Sequence, residues 1–171
     1  PDLQRDIGWS ELDYSRSVNA FQLAYAVAML VVGGVLDRVG AKLGLAWSMV
    51  LWCAAAAGHA LARTPLGFGI ARAALGVTEA ANFPAGLKAI AEWFPARERA
   101  LVTGLFNSGV ALGIVAASIG VPLLASAWGW RATFVATAAL GLCWLPFWPF
   151  AHRGTVLPPA SAAASMREPA P

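Results

Sequence analysis

The chain has 171 residues, 58% of them apolar and only 12% charged, with a mean hydropathy of +0.63. A water-soluble domain carries roughly a quarter charged residues, so this composition excludes an ordinary soluble fold and points to a lipid bilayer. The net charge of +3 comes without a basic arm, so nothing argues for a nucleic-acid partner, and the excess charge bears on loop topology instead.

Residues 1–16 are polar and charged and form an expected extracytoplasmic loop. They begin at Pro1, with neither an initiator methionine nor the basic start and short apolar core of a signal peptide. Further sequence upstream is therefore expected.

A helix rising 1.5 Å per residue needs about 20 residues to cross about 30 Å of hydrocarbon. Uncharged runs of that length occupy 17–36, 43–62 and 132–151. A fourth span, 66–87, has the length but carries Arg72 and Glu79. The uncharged run 100–130 contains Pro122 and then "SAWGW", which reads as a helix over 101–124 followed by a short turn. These five predicted helices make an all-α, polytopic membrane bundle over residues 17–151. Residues 152–171, rich in Pro, Ala and Ser and without apolar periodicity, are expected to be a disordered cytoplasmic tail or linker.

Charge sets the expected orientation. Arg38, Lys42, Lys88, Arg97, Arg99, Arg153 and Arg167 fall on one side of these spans, and Arg5, Arg16, Arg63 and Arg131 on the other. The richer side is read as cytoplasmic. Trp93, Trp128 and Trp130 lie at helix ends, where an indole suits the headgroup region or simple packing.

Few residues offer chemistry. Cys53 and Cys143 lie far apart in apolar stretches, and His59 and His152 stand alone near segment ends. No CxxC or Cys/His cluster suggests a disulfide, a metal or a cofactor, and no convergent group suggests a membrane-embedded transferase or other enzyme.

Two stretches are more specific. "GGVLDRVGAK" places Gly33, Asp37, Arg38, Gly40 and Lys42 in a tight charged turn between two spans, with Gly40 able to take positive φ and Asp37 able to face a cation or a helix N-terminus. The other is "RAALGVTEAANFPAGLKAIAEWFPARERA", followed by "GLFNSGVALG" and "GWRATF". In it Arg72 and Glu79, seven residues apart, share a helix face about 10 Å apart along the axis, too far for a local pair. Arginine stays protonated with planar donors suited to a carboxylate, whereas a poorly solvated glutamate can bind a proton. Ionisable residues inside a membrane usually mark function, the alternative being a lock onto neighbouring helices.

Gly33, Asp37, Arg38, Gly40 and Lys42 resemble the loop signature between the second and third helices of the major facilitator superfamily, with Ala41 where a second basic residue is usual. The later stretches are similar to its anion:cation symporter branch, which includes hexuronate, galactonate and glucarate transporters. The resemblance covers roughly residues 17–150. It implies that the five spans are helices two to six of twelve, an incomplete N-terminal half lacking helix one and the C-terminal half, with Gly33, Asp37, Arg38, Gly40 and Lys42 forming a gating loop.

It also implies proton-coupled symport of a small organic anion, such as a hexuronate or aldonate, across the inner (cytoplasmic) membrane, with this chain truncated and inactive by itself. Arg72 would attract the substrate carboxylate, Glu79 would couple the proton, and Tyr25 would touch substrate. Asn107, with Ser108, lines the cavity or hydrogen-bonds between helices. Gly104, Ser108, Gly109, Gly113 and Ala117 recur at spacings that favour close helix approach. Val110 departs from the polar residue some sugar-acid carriers have there, and the absence of the antiporter-type glycine-proline signature favours symport over exchange. The alternatives are a non-transporting remnant or a half-transporter subunit that needs a partner. Pro84 lies near Glu79 as either a hinge or a tolerated bend.

Overall fold

Ser10 starts the first long helix. Its hydroxyl accepts the backbone N–H of Asp13, and the Asp13 carboxylate in turn accepts the Ser10 N–H at 3.0 Å and O–H at 2.8 Å. This reciprocal cap satisfies N-terminal donors that a helix leaves unpaired. In the computed structural model, which describes residues 2–148, the capped helix is α2 (Glu11–Val39), and a short α1 (Asp2–Ile7) precedes it. Residues 2–16 are thus largely helical rather than an open loop. The expected tail, 152–171, and the last three residues of the span 132–151 lie outside the described residues.

The charged turn is shorter than the sequence suggests. α2 runs through Asp37 and Arg38 to Val39, and α3 (Ala41–Gly58) begins one residue after Gly40. Gly40 has φ 82° and ψ 160°, a backbone region that suits glycine because a Cβ would clash there. A 3-10 turn (His59–Leu61) closes α3, and Thr64 caps α4 (Pro65–Glu79) by accepting the Gly67 N–H at 3.1 Å.

The predicted span 66–87 is not one helix. It kinks at Ala80 and Ala81 and continues as α5 (Asn82–Trp93). Pro84 explains the place of the kink: a proline lacks the N–H that would bond the carbonyl four residues earlier, here that of Ala80, and its ring crowds that carbonyl.

α6 (Ala96–Leu142) contains two predicted spans, separated by Gly129 at φ 79° and ψ 162°. Its limbs run antiparallel. The first limb leaves the end of α5, Gly129 lies beside Trp130 and Arg131 near Ala62, and Trp148 returns to donate its indole N–H to the Lys42 carbonyl at 3.1 Å. Three helical stretches, Glu11–Val39, Ala41–Leu61 and Ala96–Phe147, are long and apolar enough to cross a membrane. The last has 52 residues, about 78 Å at 1.5 Å per residue, which is two crossings. With the kinked α4–α5 these give the five predicted membrane segments of an all-α bundle, and the described residues include no strand.

Packing centres on α4. A Cβ on Gly76 would collide with the Phe21 carbonyl oxygen and sit 3.1 Å from the Tyr25 nitrogen, so α2 and α4 touch backbone to backbone. Cys53 and Leu75 pack with Ala138, and a Cβ on Gly141 would lie 2.7 Å from the Cys53 sulfur. At the α1 end, Ile7, Trp9, Ala62, Phe68 and Trp130 form a second cluster, with Phe134 packed against it. The first limb of α6 touches α5 through Phe106 on Gly86 and Phe83. Elsewhere on this limb nothing lies within 4 Å of a Cβ built on Gly104, Gly109 or Gly113.

Candidate transport site

Arg72 and Glu79 lie on α4 on either side of Gly76, which places the stretch joining them against the backbone of α2 at Tyr25. Both side chains are half-buried, and they do not pair. The guanidinium carbon of Arg72 sits 5.4 Å from the centre of the Phe68 ring, one helical turn earlier. Arg72 forms no hydrogen bond or ion pair with another described residue. Glu79 accepts the indole N–H of Trp52, on α3, at 3.3 Å. A fixed cation and a carboxyl group are thus presented separately on one helix, each steadied by an aromatic side chain.

Tyr25 is half-buried, its ring stacked on Phe21 with centroids 6.0 Å apart, and its hydroxyl has no partner among the described residues. Asn107 is exposed on the first limb of α6, beside the Phe106–Gly86 contact, and is not brought to Arg72 or Tyr25. Neighbouring Ser108 bonds back to the Gly104 carbonyl at 2.9 Å. Two grooves lie between α2 and α4. One, of about 400 Å³, includes Asp13, Arg16 and Gly69 in its lining; the other, of about 550 Å³, is lined by apolar residues such as Leu23 and Val77. Neither is lined by Arg72 or Glu79.

The charged-turn residues occupy the far end of the bundle. The ammonium of Lys88, on α5, donates to the Asp37 carboxylate at 2.6 Å and to the Leu36 carbonyl at 3.1 Å, so one side chain binds both the acid and the C-terminus of α2. Ser48 donates to the Asn82 side-chain oxygen at 2.7 Å and ties α3 to the start of α5. Arg99 donates to the Ala91 and Phe94 carbonyls and closes the end of α5. Gly33 lies inside α2 with open space around it, and Arg38 and Lys42 are exposed.

At the opposite end Asp6 accepts from the Trp130 indole and from Arg131, both at 3.0 Å, while Arg131 reaches the Ala62 carbonyl at 3.3 Å. Among the described residues, the two groups of basic residues separated by sequence therefore fall at opposite ends of the bundle; Arg153 and Arg167 lie outside them.

Sequence reasoning missed four of these partners. Phe68 was accessible through its four-residue spacing from Arg72, and Lys88 as the one cation of the helix α5. Trp52 and Asp6 form contacts between elements that no local pattern announces.

Comparison with known proteins fits this architecture. Residues 1–170 match the family model of the Major Facilitator Superfamily. The chain belongs to that superfamily of membrane transporters. It is 40% identical over 153 residues to a galacturonate transporter of Dickeya chrysanthemi, covering 90% of this chain and 44% of that protein. It is also 40% identical over 151 residues to the hexuronate transporter of Escherichia coli (strain K12), covering 86% of this chain and 34% of the relative. A probable L-galactonate transporter of the same strain is 30% identical over 154 residues, 88% and 33% of the two chains. The chain thus spans less than half the length of these relatives.

Proposed function

We propose that the protein belongs to a carrier that moves a sugar-acid anion, a hexuronate or an aldonate, across the cytoplasmic membrane together with a proton. The observation that carries this reading is Arg72: a guanidinium inside an apolar helix, with no hydrogen bond and no ion pair within 4.0 Å among the described residues, on the same helix as a separately held carboxyl group. A permanent cation in poorly solvated surroundings needs an anion, and a carboxylate suits its planar donors. Relatives named for galacturonate, hexuronate and L-galactonate support the substrate class. In this reading Glu79 takes up and releases the proton, Tyr25 and Asn107 contribute polar contacts to the sugar, and Asp37 with its neighbours gates the cytoplasmic side. Residues 1–16 then face outward and 152–171 inward.

Alternating access in this superfamily rocks two six-helix halves around a midplane site. The matched region corresponds to 44% of the galacturonate transporter, so transport is assigned to a two-half assembly, and the segment alone is expected not to accumulate substrate.

The test is uptake of radiolabelled D-galacturonate, L-galactonate and a neutral hexose, with and without a pH gradient, by this chain alone and by this chain completed with a preceding first helix and a second six-helix half. Gradient-driven uptake of the acids only, lost in Arg72→Lys, supports the proposal. Equal uptake of the neutral sugar refutes carboxylate recognition. Unaltered proton-driven uptake in Glu79→Gln refutes the coupling role.

A further inference from the structure

We infer that Phe68 is the positioning residue for Arg72, and that the packed aromatic cluster around its ring fixes where the anion-binding guanidinium stands. The inference rests on the carboxylate role proposed for Arg72 and adds the residue that sets its geometry.

Phe68 is 1% exposed, yet it stands one turn from a charged side chain and carries that charge over its ring at 5.4 Å. Four rings from three other parts of the fold hold it. Trp9, from the segment between α1 and α2, meets it edge-on at 4.9 Å, and His59, at the end of α3, does so at the same distance. From the second limb of α6, Trp130 and Phe134 approach at 6.3 and 6.1 Å. His59 is itself fixed: its Nδ1–H donates to the Ala55 carbonyl at 2.9 Å, and its ring stacks on Phe134 with centroids 4.7 Å apart. Trp130 is tied to Asp6 by its indole N–H. The ring beneath Arg72 therefore cannot turn without disturbing several elements.

Arginine has several rotatable bonds, and ordering them on binding an anion costs conformational entropy. A ring face attracts a cation through its quadrupole while leaving the in-plane N–H donors free. An acidic partner would hold the guanidinium equally well but would occupy those donors. Phe68 thus preorganises Arg72 without competing with the substrate carboxylate. A cation–π contact of this kind corresponds to roughly a two- to thirtyfold change in affinity.

The decisive comparison is Phe68→Met, which keeps apolar bulk and removes the ring, against Phe68→Tyr, which keeps the ring face. Affinity for D-galacturonate is measured by calorimetry on the purified protein in lipid nanodiscs. Initial uptake rates are measured in the two-half carrier. The expected result is a Kd and KM raised roughly two- to thirtyfold in Phe68→Met, with maximal rate unchanged and near-native values in Phe68→Tyr. Wild-type affinity in Phe68→Met, or equal losses in both variants, overturns the inference, because packing alone would then account for the residue.

A second readout needs no ligand. The Arg72 side-chain protons, assigned by their loss in Arg72→Lys, should carry an upfield ring-current shift in NMR spectra that vanishes in Phe68→Met. Absence of that shift in the unmodified protein also overturns the inference. A shift present without galacturonate binding leaves the positioning intact and refutes the proposed substrate instead.

Discussion

Trp52 on α3 and Glu79 on α4 are joined by a hydrogen bond of 3.3 Å between the indole nitrogen and a carboxyl oxygen. It is a polar link between two helices that also meet through the buried Cys53 and Leu75 with their neighbours, and it ends on the acid proposed to couple the proton.

Replacing Trp52 by Phe removes the donor and leaves a half-buried carboxyl group without a partner among the described residues. The expected loss of stability is roughly 1–3 kcal/mol, read as a lower unfolding midpoint in detergent. Glu79→Gln keeps an oxygen acceptor, so its own loss should be under about 1 kcal/mol. Equal stability of Trp52→Phe and the unmodified protein would show that the bond contributes nothing.

Gly76 offers a sharper steric test. A methyl group there collides with the Phe21 carbonyl oxygen, a backbone atom that cannot move without displacing α2. Gly76→Ala should therefore destabilise by about 1–3 kcal/mol, despite the higher helix propensity of alanine. Gly104→Ala meets open space and should stabilise by up to about 1 kcal/mol. Opposite signs in thermal unfolding of the two variants confirm the α2–α4 contact, and like signs refute it.

Lys88 and Asp37 lie only 2.6 Å apart, but the Asp37 side chain is 78% exposed. Solvent screening keeps such a pair at roughly 0–1 kcal/mol. A double-mutant cycle of Asp37→Asn and Lys88→Gln should give a coupling energy within that range, while a coupling above about 2 kcal/mol would mean that the pair is far better shielded than its exposure indicates.

Much of this architecture was legible in the sequence, because membrane crossings announce themselves by length and apolarity. The five segments, the positive φ of Gly40 and the separation of the described basic residues to two ends all follow from local rules. What local rules could not place was the joint between neighbours. The kink falls at Ala80, not at Pro84, because proline acts on the carbonyl one turn behind it. Asp37 and Arg38 are helical because α2 persists to Val39, leaving a single residue for the turn. At the candidate site, the seven-residue spacing correctly separated Arg72 from Glu79, and Phe68 at four residues was within reach of the same reasoning. Trp52 was not, since its partner lies on another helix and only the packing of α3 on α4 brings them together. The assignment of Asn107 to a shared site receives no support from contacts within residues 2–148.

Gly40 and Gly129, at opposite ends of the bundle, each join two crossings through one non-helical residue. Hinges this short leave no slack. Neither pair of neighbouring crossings can slide lengthwise or change its tilt independently without straining the joint, so any large displacement must carry the linked crossings along as a single stiff body. Lengthening either joint by a few glycines would introduce play between those crossings while leaving every side-chain contact chemically intact.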